Sequence, residues 1–239
     1  MEKKIYINSI SERSRFSIGE ILNVNQGIVS GCDDAFVLEK FEERFSKYLK
    51  PFYKNSNINS FNINEKSSRW IIYTGKKKEI TEELKEYLLP YKERLEKRRE
   101  VKTGFIEWYN LQWARDESIF KSEKIVGRQR SLTSAFAYNN SEFYGSADIY
   151  YLTRKEKSIS LLYLLGYLNS KLFYDWFYYN GKRKGNYLEL YATPLKETPV
   201  IYTTSEEKIK YVEEIVKEQI REFSEERAEK LNRFFRGEN

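Results

Sequence analysis

A chain of 239 residues suits one large domain, or one domain with a helical appendage, and 40% hydrophobic residues with 16% aromatics are enough to build a core. Charged residues make up 33% and the net charge is +6, a balance that permits a polyanionic partner without requiring one. With no histidine and a single cysteine, Cys32, the sequence excludes a Ser/His triad, a histidine general base, a histidine-bearing zinc site and an internal disulfide.

The cysteine usage fits a reducing, cytoplasmic compartment. Met1-Glu2-Lys3-Lys4 leads into a short strand rather than an apolar leader, and the run Ile159 to Leu168 is too short to span a bilayer. No Gly-x-Gly-x-x-Gly or Walker loop occurs, and none of the four prolines are adjacent, so an Asn-Pro-Pro-Tyr type amino-methyltransferase loop is absent. No nucleotide or S-adenosylmethionine cradle is therefore expected on this chain, and no cofactor. Acidic residues near lysines, as around Glu123-Lys124 and Glu156-Lys157, are what a Lys/Glu-rich sequence produces by chance, and no metal-dependent nuclease centre is expected.

Lys4 to Ile10 alternates and reads as a strand. Ser17 to Leu22 predicts a short helical turn before the next strand. Val24 to Leu38 reads as two strands joined by a polar turn, Ser30 to Asp34, where Gly31 supplies a positive φ and Asp33 and Asp34 suit turn geometry. Ser30 and Asp33 would present small polar groups to a ligand, or simply make an ordinary hairpin turn.

Lys47 to Phe52 predicts a short helix stopped near Pro51. Asn55 to Ser67 reads as a loop passing into a strand, and Arg69 to Thr74 as a buried strand. Lys76, Lys77 and Lys78 follow at once, either to meet phosphate as point charges or to keep the loop soluble. Thr81 is a good N-cap, and Leu84, Leu88, Tyr91 and Leu95 mark one helix face that Pro90 must interrupt. The basic stretch Lys92 to Lys102 reads as an exposed face of i,i+4 pairs.

Trp108 to Trp113 is an aromatic stretch expected to pack under the loops. Ile125 to Ser131 is a strand that turns abruptly polar at Arg128-Gln129-Arg130. Arginine can fork to guanine and glutamine to adenine in the major groove, and both can equally hold phosphates. Phe136 to Tyr138, Phe143-Tyr144 and Asp148 to Leu152 predict further strands.

From Leu161 to Phe177, apolar residues recur at steps of three and four, so one broad helix face enters a core. That helix delivers Gly181-Lys182-Arg183-Lys184-Gly185, a cationic turn. Gly181 is expected to end the helix in the left-handed conformation, and Gly185 to free the backbone for close approach. Tyr187 to Leu190 reads as a strand leading to a proline-bounded exit. Ser205 to Phe235 predicts one long amphipathic helix, either folded back or paired with another helix.

Together these elements predict an α+β (mixed α/β) domain with a twisted, mainly antiparallel sheet, a buried central helix and a long C-terminal helix. Residues 1–202 are expected to form the main domain, and residues 203–239 an extension of it or an interaction helix.

In order along the chain come Gly27 to Val37, Lys50-Pro51-Phe52, Trp70 to Tyr73, Tyr91 to Arg98, Trp108 to Leu111, Lys124-Ile125-Val126, Phe136-Ala137-Tyr138 and Leu164 to Phe173, with Asn169-Ser170 the most telling pair. Over residues 16–200 this order resembles the TaqI-like C-terminal specificity domain of adenine-specific DNA methyltransferases and restriction-modification enzymes. It is also similar to the recognition domains of type I specificity subunits. The resemblance implies a domain that grips duplex DNA while a separate catalytic domain or subunit, a methyltransferase or endonuclease, binds S-adenosylmethionine and does the chemistry. This chain would then carry no catalysis.

The family's base readers change with the target, so contacts follow from local chemistry instead. Arg128, Gln129 and Arg130, with Ser131 beside them, are the expected base readers. Lys76, Lys77, Lys78, Lys182, Arg183 and Lys184 are the expected phosphate clamps. The competing reading is a protein-interaction module that docks a catalytic subunit through the C-terminal helix without reading bases; a homodimer through that helix is a further expectation. An enzyme acting on nucleic acid is disfavoured by the missing groups.

Overall fold

The computed structural model describes residue 10, residues 13–76 and residues 79–238. The strand expected from Lys4 to Ile10 lies outside these but for Ile10, which is fully buried, and Lys77 and Lys78 also lie outside.

Four strands form the central sheet: β2 (Leu22–Gln26), β6 (Lys124–Arg128), β8 (Phe136–Asn139) and β10 (Ile149–Arg154). Their order is β2-β10-β6-β8 with every neighbour antiparallel. β6, β8 and β10 alternate between two cores, as the two-residue period of a strand requires, while β2 buries Leu22 and Val24 on one face only. Ile125, Phe136, Tyr150 and Leu152 enter one core, and Val126, Ala137, Ile149 and Tyr151 enter the other. These three strands are thus buried on both faces.

On the first face lie α2 (Leu161–Leu168) and α3 (Lys171–Asn180). The expected central helix is broken in two at Asn169-Ser170. Ser170 caps α3 by accepting from the Phe173 amide at 3.3 Å, and Ser160 caps α2 by accepting from Tyr163 at 3.1 Å. The Asn169 side chain closes both polar groups of Phe136, accepting from its amide at 3.0 Å and donating to its carbonyl at 2.9 Å. The telling pair therefore pins the first residue of β8 and starts a helix.

The C-terminal segment is likewise two helices, α4 (Glu206–Arg221) and α5 (Glu225–Arg236). Gln219 holds the break through Ser224, donating to its carbonyl at 3.0 Å and accepting from its amide at 2.7 Å. Val212, Val216, Leu231 and Phe235 are buried in the same core as α2. Gly166 lets α4 approach, since a Cβ there would meet Val212 and Val216 methyls at 3.1 Å. The segment folds back on its own domain.

On the second face a smaller sheet runs in the order β3-β5-β4-β9, from β3 (Val37–Leu38), β4 (Leu49–Tyr53), β5 (Trp70–Ile72) and β9 (Tyr144–Gly145); only its β4–β9 pair is parallel. β1 (Phe16–Ser17) pairs with β13 (Pro199–Val200). The α+β class is as expected.

Two local expectations are corrected. Val24 to Leu38 is no hairpin: β2 pairs with β10, β3 pairs with β5, and Asp33–Phe36 forms a helical turn between them. Asp33 and Asp34 sit in the first turn of that helix, where carboxylates are favoured. Lys47 to Phe52 is mostly strand β4, in which Pro51 stands opposite Trp70.

Candidate nucleic-acid interface

Because β2 and β6 both run antiparallel to β10, they end at the same edge of the central sheet. Gln26 and Gly127 both stand opposite Tyr150 there. Gln26 and Gln129 both donate to the Ala147 carbonyl, at 2.8 and 3.4 Å, and the Gln129 amide donates to Asp148 at 2.8 Å. Gly27 is required at this seam, because a Cβ would lie 2.2 Å from the Ser146 carbonyl oxygen.

Beyond Gln129 the chain enters a small sheet of its own: β7 (Arg130–Ser131), β11 (Arg183–Lys184) and β12 (Tyr187–Glu189), in the order β11-β12-β7. Leu188 stands opposite Arg183 on one side and Ser131 on the other. The cationic turn is therefore a two-residue hairpin. Gly185 takes the positive φ of 60° at its first loop position, where this turn favours glycine. Gly181 does not end the helix in the left-handed region; its φ of −82° and ψ of −175° are extended and feed the chain into β11.

Glu189 lies at the centre of this sheet and is 5% exposed. It pairs with Arg130 at 3.0 Å and Lys182 at 3.5 Å, two cations that reach solvent on either side of it. Arg130 also donates to the Tyr191 hydroxyl at 2.7 Å, and Lys182 sits 4.6 Å from the Tyr191 ring centre. The Tyr191 contact and then Glu189 raise the pKa of Arg130, so its charge is fixed. Arg183 stacks on Tyr178 at 3.9 Å, while Lys184 and Tyr187 are exposed at the tip. Ser131 is buried, with Leu132 next to it 51% exposed.

The structure thus brings Arg128, Gln129, Arg130, Ser131, Lys182, Arg183 and Lys184 to one edge. Arg128 differs from its neighbours. Its Nε donates to Ile58 at 2.6 Å and its Nη2 to Asn59 at 3.0 Å, so the guanidinium ties down that loop.

Ser30 and Asp33 do not join this group. The Ser30 hydroxyl donates to Asp33, which also pairs with Lys54 at 3.1 Å. Burial pushes the Asp33 carboxyl up, but Ser30 and Lys54 outweigh it and its pKa falls below the ordinary value.

Lys76 stands on another segment, 3.6 Å from the Phe105 ring centre. A chain of contacts connects it to the sheet edge. Phe105 meets Trp113 at 5.5 Å, Arg115 lies 5.9 Å from the Trp113 ring, and Arg115 donates to Gln26 at 3.2 Å and Gly27 at 3.0 Å. Burial lowers the pKa of Arg115.

Glu189, Tyr191, Arg115 and Gln26 were not singled out from the sequence. Only Glu189 left a trace, as a charged residue within the otherwise apolar or aromatic run Tyr187 to Tyr191. Arg98, read there as part of an exposed basic face, is a half-buried brace that donates to Leu95, Asn110 and Trp108 at 2.9, 2.9 and 2.6 Å. Among the described residues, no group of histidine, cysteine, aspartate or glutamate could hold a metal ion, and no helix is long and apolar enough to cross a membrane.

The structure is thus an antiparallel central sheet between two cores, carrying a cationic hairpin at one edge. The same fold occurs in the Type IIL restriction-modification enzyme MmeI, solved in complex with DNA (TM-score 0.59, 13% identity, 93% of this chain and 33% of that one). It occurs also in the type IIG restriction endonuclease BpuSI (TM-score 0.55, 12% identity, 91% of this chain and 28% of that one).

Residues 50–200 match the TaqI-like C-terminal specificity domain, and the chain belongs to that family. Recognition of a DNA sequence is the function this membership carries. Among curated proteins, the Type II methyltransferase M.MjaIV of Methanocaldococcus jannaschii is 26% identical over 229 residues, covering 89% of this chain and 76% of that protein. The Type II methyltransferase M.HindII of Haemophilus influenzae is 28% identical over 221 residues, covering 82% of this chain and 41% of that protein.

Proposed function

We propose that this chain reads duplex DNA with the edge formed by Gln129, β7 and the β11–β12 hairpin, and that catalysis lies on a separate domain or subunit. The observation that carries this reading is Glu189 buried beneath Arg130 and Lys182, which holds two cations in fixed positions at a solvent-facing sheet edge. A pre-ordered arginine loses little freedom on meeting a base, and its fork matches guanine O6 and N7. Arg130 is the base reader of this proposal, with Gln129 beside it. Lys182, Arg183 and Lys184 hold phosphates and fix the register. Arg128 holds the Ile58-Asn59 loop, Ser131 is structural within β7, and Ser30 and Asp33 brace their own turn. Lys76 marks a second cationic position, reached through Arg115 and Trp113.

The partner is a DNA adenine methyltransferase or endonuclease domain, and S-adenosylmethionine binds there. The separation follows from the missing cradle motifs on this sequence. A second copy, pairing through α4, would have to use the outer face around the 46% exposed Tyr211, because Val212 and Val216 are already buried at home.

Selection from a random duplex library with the catalytic chain present tests base reading. Arg130→Ala is expected to relax preference at one base pair, at about 1–3 kcal/mol there. An equal loss on every sequence would make Arg130 a phosphate contact.

A further inference from the structure

A cleft of 420 Å³ opens beside the same sheet edge, and its walls combine aromatic rings with cations. Phe105 is 42% exposed and Trp113 37% exposed, and their rings meet at 49° to form a corner rather than a closed stack. Lys76 lies over Phe105 at 3.6 Å and, among the described residues, makes no ion pair. Arg115 lies against Trp113 and holds a positive φ of 69°, a backbone position an arginine rarely takes. The corner is rigid: Trp113 exchanges backbone hydrogen bonds with Val29 at 2.9 and 3.1 Å, and the Arg115 guanidinium is anchored to Gln26 and Gly27. The one carboxylate in the lining, Glu117, pairs with Lys121 at 2.5 Å.

Half-exposed rings with adjacent cations in a concave site fit one ligand chemistry, a planar heteroaromatic ring carrying an anion. We propose that this cleft binds a single unstacked nucleotide, with its base against the Phe105–Trp113 corner and its phosphate at Lys76. Placing that nucleotide within a bound DNA molecule rests on the function proposed above; binding by the cleft does not. The volume falls within the range of small-molecule sites and accommodates one nucleotide rather than a duplex. Arg115, in the cleft wall, donates to Gln26, which shares the Ala147 carbonyl with Gln129, so a base leaving the stack next to the reading edge has a short path to the cleft.

The test measures binding of a fluorescently labelled ten-residue oligothymidylate to the full chain, beside a random duplex of the same length. Phe105→Ala with Trp113→Ala should weaken single-strand binding about ten-fold or more, by the usual worth of base–aromatic stacking. The ring-keeping pair Phe105→Tyr with Trp113→Phe should retain it. Lys76→Glu, an exposed change that leaves the core intact, should also weaken it. Equal binding by wild type and the alanine pair, equal loss in both ring variants with Lys76→Glu unaffected, or no single-strand binding by wild type would each overturn the proposal. Single-strand binding that depends on these rings, with no duplex binding at all, would support the cleft and overturn the reading of duplex DNA.

Discussion

Glu189 accepts two ion pairs while only 5% exposed, and its cations come from different segments, Arg130 from β7 and Lys182 from the residue before β11. Glu189→Gln keeps the shape and removes the charge, leaving the cations to repel each other across a buried amide. Because both cations are more than half exposed, solvent screens most of the attraction. The expected loss is about 1–2 kcal/mol, read by urea unfolding; an unchanged midpoint would show that the pairing does not order the edge. Lys124 makes a second residue-scale prediction. It is fully buried, and its ammonium donates to the carbonyls of Ser122 at 2.9 Å and Ser141 at 2.6 Å. Burial pushes its pKa down from 10.5 to about 8. The folded chain therefore releases this proton at lower pH than the unfolded chain does. The resulting penalty is fully present below about pH 8 and is relieved as pH rises towards 10.5. Unfolding free energy between pH 8 and 9.5 is expected to climb more steeply in wild type than in Lys124→Met, by up to about 1.4 kcal/mol per pH unit. Parallel profiles would contradict the shift.

Among the elements, the junction of α2 and α3 with β8 depends on one side chain. Asn169→Ala removes both bonds to Phe136 and leaves its amide without that partner. A loss of about 1–3 kcal/mol is expected by chemical denaturation, with Asn169→Asp recovering only the bond to the amide. No loss would mean that β8 is registered by its ladder alone. The sequence shows some elements far better than others. The three-and-four spacing of α2, α3 and α4 is legible because one face of each is apolar, and β6 and β10 are legible as short continuous apolar runs because both their faces are buried. The breaks at Asn169-Ser170 and Glu222 to Ser224 interrupt no apolar period, so each helix pair reads as one helix. Asp33 and Asp34 favour a turn and a helix start equally, which is why a hairpin was expected where a helical turn stands. Strands of two residues, such as β7 and β11, carry too little pattern to read, although they build the interface.

At the scale of the whole molecule, the family was legible because its degenerate motifs occur in order, and the match over residues 50–200 covers the stretch where most of them lie. That Arg128 to Ser131 and Lys182 to Lys184 would share one interface was expected from their chemistry, but the strand pairing that gathers them was not legible. It depends on β12 crossing back to β7 from more than fifty residues away, counted between Ser131 and Leu188. The cleft of Phe105, Trp113 and Arg115 is invisible for the same reason, since separate segments meet there only in the folded chain. The account rests on the hairpin being a phosphate grip held next to the base-reading strand. The most direct measurement is the salt dependence of binding to random duplex DNA, comparing wild type with Lys182→Ala, Arg183→Ala and Lys184→Ala combined. The slope of log K against log salt is expected to become shallower by roughly one unit per lost contact, with affinity falling on every sequence alike. An unchanged slope in a variant that unfolds at the wild-type midpoint would remove the hairpin from the DNA and contradict the account.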